Sequence, residues 1–250
     1  MIRPPPLDPH SALFLDVDGT LLEIAPRPEL VHVPSGLPDL LKELTRQRIG
    51  ALALISGRPI AELDRLFRPW RGAAAGLHGA ERRRADGSLV VSGESTADRA
   101  AATALASVRP ALAECERRWP GVWIEDKGRT VALHCRAIPE KEAEIRDAME
   151  RLAQDESGPL RLIAGKMVFE LQPGHRHKGA VIAAFLAEPP FRGRRAVFIG
   201  DDTTDEDGFA EVNRRGGISI RVGAPARTAA VYDLASVADA LDWLDAAAKG

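Results

Sequence analysis

Short, nearly continuous apolar runs alternate along this chain with stretches in which apolar residues recur every three or four positions. The runs "ALFLDVD" (12–18), "GALALISG" (50–57), "AAAGLHGAE" (73–81), "RAVFIGDD" (195–202) and "GISIRVG" (217–223) are predicted strands. Apolar on both sides, they suit a mostly parallel sheet covered on both faces. Between and after them, "PSGLPDLLKELTRQR" (34–48), "PIAELDRLF" (59–67), "HKGAVIAAFL" (177–186), "TDEDGFAEVNRR" (204–215) and "SVADALDWLDAAAK" (236–249) carry the helical period, the last with Leu241 and Leu244 facing inward. Alternation of this kind predicts an α/β, Rossmann-like fold.

The middle of the chain reads differently. An alanine-rich helix over 95–118 is interrupted by Pro110; "GVWIEDKG" and "RTVALHCRAI" alternate like a β-hairpin; a helix over 139–154 and a strand pair, "PLRLIAG" and "MVFELQP", follow. This predicts a smaller α/β unit, residues 95–172, inserted between the third and fourth strands of a core made of 1–94 and 173–250.

Composition narrows the function classes. With 250 residues and 45% hydrophobic content the chain can bury a sizeable core, and its net charge of −2 gives no footprint for nucleic acid or an anionic membrane. Two cysteines, Cys115 and Cys135, are packing residues rather than a disulfide framework. No signal peptide is visible in "MIRPPPLDPH", and no apolar run approaches the roughly 20 residues a bilayer requires. A soluble, cytoplasmic monomer with a small-molecule partner is the expectation.

The chemistry gathers at strand ends. In "FLDVDGT", Asp16 and Asp18 stand two apart, so an extended chain would project both carboxylates from one side; Gly19 permits a sharp departure and Thr20 offers a hydroxyl. "VFIGDDTTDEDGF" brings Asp201, Asp202 and Asp205 to a second strand end, although Asp205 and Glu206 also suit the start of the following helix. Together the two groups make an oxygen-rich site for a hard cation such as Mg²⁺. "LALISGRP" delivers Ser56 ahead of a proline-initiated helix, where a serine is either a cap or a phosphoryl ligand. Lys178 opens another helix and supplies a positive charge; His175 and His177 lack partners at metal-ligand spacing and read as loop residues.

In this order, a D-x-D-G-T strand end, a serine strand end, a lysine and a G-D-D strand end resemble the haloacid dehalogenase superfamily of phosphatases. "ISGRP", "GLHGAE", "IEDKG" followed by "ALHCR", "MVFELQP" and "GDDTTDED" look like the trehalose-6-phosphate phosphatase family across most of the chain. The resemblance implies a core with a C2-type cap, Mg²⁺ dependence and an aspartyl-phosphate intermediate. It implies Asp16 as nucleophile and Asp18 as the proton carrier. The metal would be held by Asp16, the Asp18 carbonyl and Asp201, with Asp202 or Asp205 reaching through water. Ser56 and Lys178 would bind phosphoryl oxygens, with Thr20 and Gly57 beside them and Arg58 and His78 at the rim. In the inserted unit, Glu125, Lys127 and Glu170 would contact the distal glucose, with His134 and Arg136 nearby. A phosphatase for another sugar phosphate, a phosphomutase and a non-catalytic sugar-phosphate sensor are the alternatives.

Overall fold

The structure, a computed structural model, describes the chain except residues 1, 26–29, 92–95, 154–157, 166, 175–176, 224–226 and 250. In chain order it begins β1 (Ala12–Leu15), α1 (Leu37–Gln47), β2 (Leu52–Ile55), α2 (Ile60–Leu66), β3 (Ala73–Gly76), β4 (Glu81–Arg83) and β5 (Leu89–Val91). Then come α3 (Thr96–Arg118), β6 (Trp123–Asp126), β7 (Val131–His134), α4 (Glu142–Ala153), β8 (Leu160–Gly165) and β9 (Val168–Pro173). It closes with α5 (Lys178–Leu186), β10 (Ala196–Gly200), α6 (Glu206–Arg214), β11 (Ile218–Val222), β12 (Tyr232–Leu234) and α7 (Val237–Lys249). Two compact units result: Met1–Val91 with His177–Gly250, and Ser92–Arg176. The return to the first unit comes later than residue 173 because β9 itself runs to Pro173, opposite Leu160.

In the first unit the sheet order is β12-β11-β10-β1-β2-β3-β4-β5, parallel from β12 to β3 and antiparallel beyond. Period-2 alternation sorts its strand residues between two cores. Leu13, Leu15, Leu52, Leu54, Val197 and Ile199 join Leu41, Leu44, Leu63 and Leu244 of α1, α2 and α7. Ala12, Phe14, Ala53, Ala73, Ala75 and Phe198 join Ile182, Phe185, Phe191 and Phe209 on the α5–α6 side. Several strand positions on that side are alanines, which leaves volume for phenylalanines. Sequential strands run one way from β1 to β3 and the other way from β10 to β12, so the order reverses between β1 and β10. Open α/β sheets bind ligands at the carboxyl ends of the strands at such a point.

Three expectations change. "AAAGLHGAE" is not one strand: Leu77 (φ 48°), His78 (φ 53°) and Gly79 (φ 99°) turn the chain in the left-handed region, so Glu81–Arg83 returns antiparallel to β3. With β4 and β5 present, the inserted unit follows the fifth strand of the core rather than the third. Pro110 does not interrupt α3, which is continuous over 23 residues. A proline inside a helix costs about 3 kcal/mol, but Ala101, Leu105, Leu112 and Cys115 form one buried stripe across it, and that packing sustains the helix.

The second unit is a four-stranded antiparallel sheet, β6-β7-β9-β8. Its Val131, Leu133, Phe169 and Leu171 pack with Leu105, Leu112, Ile145 and Met149 of α3 and α4. The opposite sheet face carries the alternate residues. Among the described residues, no helix is long and apolar enough to cross a membrane.

Candidate active site

Asp16 is the first residue past β1; its N–H still donates to the Ile199 carbonyl at 3.0 Å, extending the ladder to β10. Asp201 is the first residue past β10. Neighbouring strands thus deliver both carboxylates to one place, and oxygens of Asp16, Asp201 and Asp205 lie within 4.8 Å of one another. Lys178, buried at the start of α5, donates to Asp16 Oδ1 and Asp205 Oδ1, each at 2.6 Å. Asp205 is completely buried and its Oδ2 also accepts from the N–H groups of Asp201 (3.1 Å) and Asp202 (3.0 Å). It therefore shapes the loop after β10 and anchors the lysine at once. Asp202 lies apart: its exposed carboxylate accepts from Thr203 N at 2.6 Å as a cap.

Electrostatics explain why these residues need each other. Burial pushes the Asp16 carboxyl well up; Lys178 opposes this, while Asp205 and Asp201 add to it. Asp201 is pushed up to about 6, by burial first and by Asp205 second. For Lys178 burial favours the neutral amine, but Asp16 and Asp205 outweigh it and the ammonium is held well above its ordinary value. Three carboxylates against one ammonium leave the cluster short of positive charge. Asp201 Oδ1 is buried and accepts no hydrogen bond among the described residues. An all-oxygen donor set with an unsatisfied buried lone pair fits a hard divalent cation.

Asp18 has a different partner from Asp16. The strand ends at Leu15, and Val17 O receives the N–H groups of Thr20, Leu21 and Leu22 in a tight turn. Asp18 is instead gripped by Arg58 in a fork, Nε to Oδ2 and Nη2 to Oδ1, both 2.7 Å. Arg58 also pairs with Glu62. Each carboxylate thus has its own protein cation, Lys178 for Asp16 and Arg58 for Asp18. Gly19 makes the turn possible, with φ 83° and a site where a Cβ would lie 2.0 Å from Asp201 Oδ2. Thr20 is fully buried and its hydroxyl has no hydrogen-bond partner among the described residues.

Ser56, nearly inaccessible, accepts from Arg58 N at 3.1 Å. It is not at a helix N-terminus, since α2 begins at Ile60, whose N–H is taken by Glu81 Oε2 at 3.0 Å. Gly57 faces the His78 ring, where a Cβ would come within 2.8 Å of Nε2. His177 caps α5, its Nδ1 accepting from Ala180 N at 3.2 Å; His175 lies outside the described residues.

In the second unit, register places Trp123 opposite His134, and Glu125 opposite Ala132, which in turn is opposite Glu170. Lys127 Nζ approaches Glu170 at 3.2 Å and Glu125 at 3.9 Å, and His134 Nε2 lies 3.1 Å from Glu125. Arg136 lies past the end of β7 and is exposed. Trp123, which no motif marks, stacks on His134 with ring centroids 4.4 Å apart. Its signal in the sequence was positional: it stands two residues before Glu125 on a strand, hence on the same face.

A family model described as Trehalose-phosphatase matches residues 14–238. A "Probable trehalose-phosphate phosphatase" of Sinorhizobium fredii (strain NBRC 101917 / NGR234) is 46% identical over 237 residues, 94% of this chain and 86% of the relative. A trehalose-6-phosphate phosphatase of Escherichia coli (strain K12) is 42% identical over 241 residues, 96% of this chain and 88% of the relative. Among solved structures, the C-terminal domain of C. albicans trehalose-6-phosphate phosphatase superposes with a TM-score of 0.82 over 99% of both chains at 21% identity, a likeness of fold.

Proposed function

The chain belongs to the trehalose-phosphatase family, and from that premise we propose that it hydrolyses trehalose 6-phosphate to trehalose and inorganic phosphate through a phosphoryl group carried on Asp16, with Mg²⁺ as its cation. Its fold is that of the haloacid dehalogenase superfamily, and it is a phosphoric monoester hydrolase. The observation that carries the catalytic reading is the buried Asp16–Lys178–Asp205 arrangement beside Asp201.

Asp16 attacks phosphorus: a bond forms from its carboxylate oxygen to phosphorus, and the bond from phosphorus to the sugar oxygen breaks. Lys178 holds the attacking carboxylate in place through Oδ1. Asp18 gives a proton to the departing sugar oxygen and takes one from the water that then opens the acyl-phosphate. The Arg58 fork engages one lone pair on each Asp18 oxygen, and a second lone pair on each is left for the proton. Mg²⁺ held by Asp16 and Asp201, with Asp205 alongside and the Asp18 carbonyl as the family resemblance implies, would offset the repulsion between a carboxylate and a phosphate dianion. Ser56, through its hydroxyl proton, is the assigned donor to a phosphoryl oxygen, with Thr20 and Gly57 contributing backbone and Arg58 and His78 at the margin. Glu125 and Glu170 of the second unit are assigned to sugar hydroxyls as acceptors and Lys127 as a donor, with His134 and Arg136 beside them.

Release of inorganic phosphate from a panel of sugar phosphates, with and without Mg²⁺, tests this. Turnover of trehalose 6-phosphate well above sucrose 6-phosphate, and only with the cation, is expected. A preference for another sugar phosphate would move the assignment to that substrate.

A further inference from the structure

Among the exposed large hydrophobic side chains of the described residues, Trp123 is the one aromatic, 56% exposed. A single exposed apolar side chain is ordinary, but three observations set this one apart. It is held in place: its ring stacks on His134 at 27° between planes, and His134 is itself tied to Glu125 at 3.1 Å. It also shares a face with a polar cluster, because residues directly opposite in an antiparallel ladder point the same way. Glu125 follows two positions along the strand, roughly 7 Å away, and Glu170 is reached across Ala132. Finally, that face presents carboxylates. Lys127 is shared between Glu125 and Glu170, which stand on either side of Ala132. Carboxylates that accept hydroxyl protons, beside an aromatic face that covers C–H groups, are the chemistry of a neutral sugar ring.

We propose that Trp123, seated on His134, is a stacking platform for the phosphate-free glucosyl ring of trehalose 6-phosphate and sets specificity for a second sugar. This rests on the reading of the chain as a trehalose 6-phosphate hydrolase and adds a residue to it. Trp123 lies on the edge strand of its sheet, so a contact with a second copy of the chain is the competing use of the same side chain.

The test compares wild type, Trp123→Ala and Trp123→Phe on trehalose 6-phosphate, glucose 6-phosphate and 4-nitrophenyl phosphate, with light scattering for oligomeric state. For trehalose 6-phosphate, Trp123→Ala is expected to raise KM about tenfold or more with kcat within about threefold, and Trp123→Phe to recover most of the loss. The other two substrates have no second sugar ring, so their kcat/KM stays within about twofold. In an Asp16→Asn background, trehalose 6-phosphate shifts tryptophan emission, and adding Trp123→Phe removes the shift. An active wild type whose KM is untouched by Trp123→Ala overturns the platform alone, as do equal losses on all three substrates. A wild type inert on trehalose 6-phosphate overturns the underlying reading and the platform together. A change of oligomeric state with unaltered KM assigns Trp123 to a contact between copies instead.

Discussion

Charge is handled in opposite ways by the two units. In the first, Asp16, Asp205 and Lys178 are almost wholly buried, and their positions are dictated by backbone: two strand ends, a helix start and a loop whose amides Asp205 gathers. In the second, Glu125, Lys127 and His134 are partly exposed and are positioned largely by one another across an open sheet face. The contrast follows from architecture. A parallel sheet covered on both faces leaves only its strand ends for chemistry, and a charge placed there is desolvated and needs an opposite charge. An antiparallel sheet covered on one face leaves a broad solvated surface, where single side chains can be exchanged at small cost to the fold. The first arrangement suits a fixed reaction, the second a variable recognition surface.

If the comparison holds, a change in the first unit should act on every substrate. Asp16→Asn is expected to lower turnover by roughly 10³-fold or more on sugar and aryl phosphates alike, with an unchanged circular dichroism spectrum. Retained phosphate release would remove Asp16 as nucleophile. Lys178→Met comes next. It strips Asp16 and Asp205 of their partner, and breaking a buried pair costs about 3–5 kcal/mol, read as a lowered denaturation midpoint that a divalent cation partly restores. A midpoint equal to wild type would mean the cluster is not held by the lysine.

Glu170→Ala in the second unit should leave stability nearly unchanged and act on one substrate class. A loss of about 10- to 100-fold in kcat/KM for trehalose 6-phosphate, against little change for an aryl phosphate, is expected. Equal losses would erase the division of labour between the units.

The smallest effect is one of pH. Because Asp201 is raised from 3.8 to about 6 in the folded protein, its contribution to stability is fully present below pH 3.8 and is lost as pH rises toward 6. The difference in unfolding free energy between wild type and Asp201→Asn, measured without divalent cation, should therefore drift against wild type by on the order of 1–3 kcal/mol across that window. Added Mg²⁺ should cancel the drift at pH 7. A flat difference would show that Asp201 is not desolvated by its neighbours.

Much of this was legible in the residues. Apolar runs such as Ala12–Leu15 and Ala196–Gly200 announced buried parallel strands, because no half-exposed strand tolerates four or five such residues in a row. The order of Asp16, Ser56, Lys178 and Asp201 pointed to phosphoryl chemistry before any geometry. What misled was local. Pro110 reads as a helix break, and only packing of residues on either side of it reverses that; "AAAGLHGAE" reads as a strand, and only the left-handed turn at His78 divides it.

The sequence by itself determined the fold class and the inserted unit and supplied the acidic candidates, because periodicity and residue type are properties of neighbours along the chain. It could not determine the pairing of charges. Asp16 and Asp18 stand two apart, yet tertiary structure gives one to Lys178, 162 positions away, and the other to Arg58, 40 positions away. It likewise draws Asp205 rather than Asp202 into the buried cluster and lays Trp123 on His134. Such choices depend on which backbone segments the sheet brings side by side, and on the large free-energy penalty of leaving any one of those charges buried without its partner.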